Sequence, residues 1–167
     1  ESPSAFALFG YLVAVAGALA VVRYMAWWWL AWAALAGSVA WLGLWFVTAW
    51  RPGDALPTGA FILALAGLFV FVLPREADAP GAGSWNPLAA DWLSPGPIAR
   101  SAAAIAALAM FMLVRIDGYG ATSLGTLAVL AVAYPVIARR HAAFETLAVI
   151  AALTVAATRV PVAEGRA

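Results

Sequence analysis

Six long apolar runs, each closed by arginine or proline, leave this 167-residue chain few ways to fold. They cover 5–22, 27–49, 57–73, 97–114, 120–138 and 142–158. A helix that crosses a bilayer needs about 20 mostly apolar residues, with a range of roughly 17–25, and every run falls in that window. Each arginine lies at or beyond the end of a run. A charge at the bilayer centre costs at least ~2.5 kcal/mol on insertion scales, so this placement is the one hydrocarbon imposes. Helices buried in a soluble protein would carry polar stripes at helical spacing, and these runs carry none. The expected class is all-α: a polytopic transmembrane bundle of six spanning helices built from antiparallel hairpins, forming a single unit over 1–167.

Composition agrees. The chain is 66% hydrophobic and 10% charged, against about 45–50% and about 25% on comparable counts for soluble domains. A net charge of +1 gives no electrostatic case for a nucleic-acid partner. All nine basic residues are arginine, which fits a GC-rich bacterial genome and so a bacterial inner membrane. Cysteine is absent, which excludes disulfides and thiolate metal sites. The first residue is Glu1, so the chain reads as a fragment, a processed product or part of something longer.

RYMAWWWLAW, residues 23–32, places Arg23, Trp27, Trp28 and Trp29 between the first two runs. On a helix, consecutive side chains point about 100° apart, so the three indoles cannot share one core. Trp is enriched at the membrane–water boundary, where its ring is apolar and its N–H is wet. These residues are expected to anchor one boundary, and Trp50 with Arg51 the other, roughly 33 Å away at 1.5 Å per residue. The competing reading is a stacking surface for a quinone or pigment, formed by Trp27, Trp28, Trp29 and Trp32. The long connection 74–96 contains WNPLAADWL at 85–93, whose Trp85, Leu88, Ala89, Trp92 and Leu93 make one apolar helical face. That spacing predicts a short interfacial helix anchored by Trp85 and Trp92.

Lipid is as apolar as Leu, so membrane helices associate where small residues let backbones approach. Four-residue ridges of that kind occur at Gly10, Ala14 and Ala18, at Ala33 and Gly37, and at Ala36 and Ala40. Others fall at Ala102 and Ala106, Ala103 and Ala107, Ala121 and Gly125, and Ala148, Ala152 and Ala156. Tyr134-Pro135 should bend the fifth helix. Ser38, Thr48, Ser101, Thr122, Ser123, Thr126, Thr154 and Thr158 are expected to bond between helices or to their own helix carbonyls.

The one polar cluster is Arg139, Arg140, His141 and Glu145. His141 and Glu145 stand four apart on one helix face, an arrangement able to pass a proton. The plainer reading has Glu145 complementing a helix dipole and the arginines snorkelling. Asp54, Asp78, Asp91 and Asp117 lie in separate loops. No nucleotide, metalloprotease or nucleophile-elbow motif is present. No catalytic, metal or cofactor-binding residue is expected, and no cofactor.

FGYLVAVAGALAVVRYMAWWWLAWAALAGSVAWLGLW, residues 9–45, resembles the large bacterial polytopic "predicted membrane protein" family, domain of unknown function 2339. Phe9, Gly10, Tyr11, Leu12, Arg23, Trp29, Leu30, Ala31 and Trp41 carry the likeness. Members are much longer and have no established activity, so the resemblance implies a fragment and a membrane class but no mechanism. A structural or interaction role is therefore expected, with partners in the lipid bilayer, other membrane subunits or the rest of a longer chain. The alternatives are a transporter or flippase with a proton-coupled site at His141 and Glu145, or a subunit of a membrane enzyme or cofactor complex. Five arginines (23, 75, 100, 139, 140) face four (51, 115, 159, 166) across the slab, which weakly favours an outside N-terminus.

Overall fold

The computed structural model describes residues 3–51, 53–72, 95–140 and 145–159. Those residues form six helices: α1 (Pro3–Met25), α2 (Trp28–Thr48), α3 (Ala55–Val72), α4 (Pro95–Ile116), α5 (Ala121–Arg140) and α6 (Glu145–Arg159). No strand occurs among them. Four helices are long and apolar enough to cross a membrane: α1 over Ala5–Met25, then α2, α3 and α4. In α5 the apolar part, Ala121–Ile137, is one residue short of that length. Several apolar helices in one chain are what a multi-pass membrane protein requires.

The ends of the helices follow local chemistry. α1 stops at Ala26, whose φ is 54° and whose N–H donates to the Val22 carbonyl at 2.8 Å. This is a left-handed cap that satisfies an orphan carbonyl, although Ala bears roughly 1–2 kcal/mol of strain there. Arg23 does not end the helix; it lies in the last turn of α1. α2 then begins almost at once, at Trp28. α4 closes with a Schellman pair: Gly118 (φ 65°) donates to Arg115 and Tyr119 to Val114, at 3.3 and 3.0 Å. α3 starts two residues before Pro57, because Asp54 heads it and its carbonyl accepts the Thr58 N–H at 3.0 Å. Pro57 still fits, since N–H groups in the first turn have no helical partner. α4 begins at Pro95 rather than 97, and Arg100, already within the expected run 97–114, lies inside the helix, so not every arginine sits at or beyond the end of an apolar run.

Three contacts fix the directions. Thr126 of α5 meets Gly59 near the start of α3 and Met110 in the second half of α4. Tyr134, later in α5, reaches Ala103 in the first half of α4. Hence α3 and α5 run together and α4 opposes both. α6 packs on α5 and on α4. One end of the bundle thus collects the start of α1, the α2–α3 turn and the α4–α5 turn. The opposite end collects the α1–α2 turn and the ends of α3 and α5.

Helices α1, α2, α4 and α3 close a four-membered ring in that order, and α5 and α6 pack on its α3–α4 side. The inner pair is α3 and α4, each with 50% of its apolar window buried, against 22% for α1 and 28% for α2. Leu19, Val22, Ile62, Phe69, Ile98 and Met110 lie at the centre of the core. The outward faces of α1 and α2 are as apolar as their inward ones, exposing Phe6, Phe9 and Val13 on one and Leu44 and Val47 on the other. A helix that is hydrophobic all round belongs in a membrane or a large core.

Candidate functional site

The residues expected to act as boundary anchors do lie at helix ends, with different surroundings. Trp27 and Trp29 are 48% and 60% exposed. Their rings stack on each other with centroids 6.2 Å apart and 26° between planes. Trp28 turns inward and packs against the core. The three indoles thus divide as helical geometry demands: two out, one in. Arg23 is exposed, but it is not committed to solvent. Its Nη1 donates to the Val72 carbonyl at 2.9 Å, so α1 caps the C-terminus of α3, where a cation also complements the helix dipole. Trp50 is half-buried against Phe46, at 5.8 Å between centroids, and Arg51 is exposed beside it. Trp85, Trp92 and the expected interfacial helix at 85–93 lie outside the described residues.

The polar cluster is only partly placed. Arg139 and Arg140 end α5 and Glu145 opens α6. His141 and the four side chains lie outside the described residues. No group of three or more His, Asp or Glu able to hold a metal occurs among the described residues.

The small-residue ridges separate into used and unused. Ala102, Ala103, Ala106 and Ala107 of α4 are all buried, as expected. The ridge of Gly10, Ala14 and Ala18 instead turns away from the bundle; a Cβ on Gly10 would meet nothing within 4 Å. Ala33, Ala36, Gly37 and Ala40 are exposed, and so are Ala121, Gly125, Ala152 and Ala156. The side chain of Ala148 lies outside the described residues. Of the exposed set, Gly37 has a partner, because a Cβ there would stand 3.2 Å from the Tyr11 hydroxyl. Tyr11 lies flat on Trp41, 5.2 Å between centroids and 2° between planes, and leans toward Phe61 at 6.1 Å.

One close crossing was not among the expected ridges. Gly59 faces Thr126 so closely that a Cβ would lie 2.8 Å from its Cγ2 and Oγ1. Sequence does hold the signal: Ala55 and Gly59 are four apart and both buried. Thr126 donates to the Ser123 carbonyl at 2.9 Å with Met110 Sδ at 3.4 Å. Ser123 in turn donates to the Gly120 carbonyl at 2.9 Å.

Most other hydroxyls also bond within their own helices. Ser38 donates to Ala34, Thr48 to Leu44 and Thr154 to Ile150, at 2.7, 2.8 and 2.7 Å. Tyr134 donates across to the Ala103 carbonyl at 2.6 Å, joining α5 to α4 beside Pro135. α5 continues through that proline to Arg140.

Inside the ring of four helices lies a void of about 10 Å³, lined by α2, α3 and α4. Its one hydroxyl, that of Ser38, is already bonded. A cavity needs about that much space to hold one water, and apolar cavities stay dry.

No protein-family model, curated protein or solved structure matches this chain. The arrangement must therefore be read on its own terms. Chemically it can hold helices together and hold the bundle at depth.

Proposed function

We propose that this chain is a multi-pass membrane module with a structural or interaction role, crossing a bacterial inner membrane six times and packing against other membrane helices. The fragment reading, and with it a relation to the domain of unknown function 2339, belongs to the same proposal. The carrying observation is the contrast between inside and outside. Between α2, α3 and α4 lies an apolar void of about 10 Å³, room for one water and not for a larger solute. Outside, α1 and α2 present apolar faces with small residues at Gly10, Ala14 and Gly17, where an added Cβ on either glycine meets no neighbour. Small residues on a lipid-facing surface are where another helix can approach closely.

The test is Gly10→Leu with Gly17→Leu, read by native electrophoresis in mild detergent and by thermal unfolding. The expected result is an unchanged unfolding midpoint with loss of the larger assembly seen for the parent chain. A parent chain that migrates alone, or an assembly indifferent to both substitutions, would contradict the interaction role. Loss of a transport or proton-coupled activity on Glu145→Gln, with assembly intact, would instead favour a transporter.

A further inference from the structure

Thr58 breaks a pattern that the other buried helix hydroxyls keep. Ser38, Ser123 and Thr126 each donate to a carbonyl three or four residues back in the chain, at 2.7 to 2.9 Å. Thr58 is wholly buried, at 0% exposure, and its Oγ1 has no hydrogen-bond partner. Trp45, 8% exposed, presents an indole Nε1–H that likewise has none. Each such group costs about 1–3 kcal/mol if left unpaired, and buried polar atoms in folded proteins are very rarely left so.

The two belong to one place. On α3, Thr58 continues the stripe of Ile62, Leu65 and Phe69. On α2, Trp45 continues the stripe of Leu35, Ser38 and Leu42. Those six residues line the void. Trp45 comes three residues before the end of α2 and Thr58 three residues after the start of α3, so both stand at one level, one turn from the void. The backbones of α2 and α3 stay apart, α2 packing on α1 and α4, while side chains of both line the void.

We infer that Trp45 and Thr58 hold a single water molecule between α2 and α3, at the end of the bundle interior nearest the α2–α3 turn. The indole N–H donates to the water oxygen, and the water donates to Thr58 Oγ1. The adjoining void is apolar and has the volume of about one water; the Trp45 N–H and Thr58 Oγ1 beside it supply the polar partners a buried water needs. A bridging water is nearly as favourable as a direct bond, and this one ties α2 to α3 at that level. The inference needs only the packed interior and is independent of any partner helix.

The experiment uses the full chain in detergent micelles with ¹⁵N-tryptophan. Trp45→Phe assigns the Trp45 indole signal, and cross-relaxation between that proton and water is measured in the parent, in Thr58→Val and in Thr58→Ser. The expected results are a water cross-peak in the parent, retained with Ser and lost with Val. The unfolding midpoint should fall by several degrees with Val and stay within about one degree with Ser. No cross-peak in the parent would overturn the inference. So would a cross-peak indifferent to Thr58→Val, or a Val variant as stable as the parent, which would mean that the hydroxyl bonds nothing.

Discussion

At the scale of single residues, close approach rather than polarity organises the bundle. Gly59 is where α3 and α5 touch, and a side chain there has no room. Gly59→Ala should lower stability by about 1–3 kcal/mol, the usual cost of overpacking, despite the better helix propensity of Ala. Gly67→Ala is the control, since its Cβ would meet only the edge of Phe71 at 4.0 Å. Thermal unfolding in detergent should separate them by roughly 2–4 °C per kcal/mol. Equal midpoints would show that the crossing is looser than 2.8 Å implies. Why was Gly59 not legible, when the placement of Trp27 and Trp29 at a helix end was? Boundary aromatics follow from one physical rule about where indoles sit. In an alanine-rich chain, four-residue small spacings arise on every face, and only packing selects Ala55 and Gly59 over Gly10 and Ala14. Thr58 escaped notice for a related reason: a threonine within an apolar run looks like any other until its hydroxyl is found turned from its own helix.

Elements were more readable than residues. Described helix ends fall within two or three residues of the sequence boundaries, because Arg, Pro and Gly interrupt apolar runs for strong local reasons. The residual errors have causes. Arg23 and Arg115 remain helical because a side chain that long can leave the slab while its backbone stays inside. Asp54, read from sequence as a loop residue, does lie in the turn before α3, and what the sequence reading did not add is that it heads the helix, as an acid before an apolar run often does. What the sequence concealed is how elements are tied together. Tyr134 joins α5 to α4 through one bond, and Tyr134→Phe removes only that bond. The expected loss is about 0.5–1.5 kcal/mol, toward the lower end in a membrane bundle. It should appear as a lower unfolding midpoint with helix content unchanged by circular dichroism. No change in midpoint would mean that the α4–α5 pair is held by apolar packing alone.

For the molecule as a whole, the central claim is that hydrocarbon surrounds it. The apolar outer faces of α1 and α2 follow from that, as does the gathering of Trp and Arg at helix ends. Because the chain has no cysteine, single-cysteine labelling from one side of an intact membrane tests the claim directly. Tyr24, at the α1–α2 turn, is 89% exposed; Arg51 and Ala121, in and after the opposite turns, are exposed as well. With a membrane-impermeant maleimide, Arg51→Cys and Ala121→Cys should react from the same side, and Tyr24→Cys only from the other. Reaction of all three from a single side would contradict the membrane-spanning arrangement.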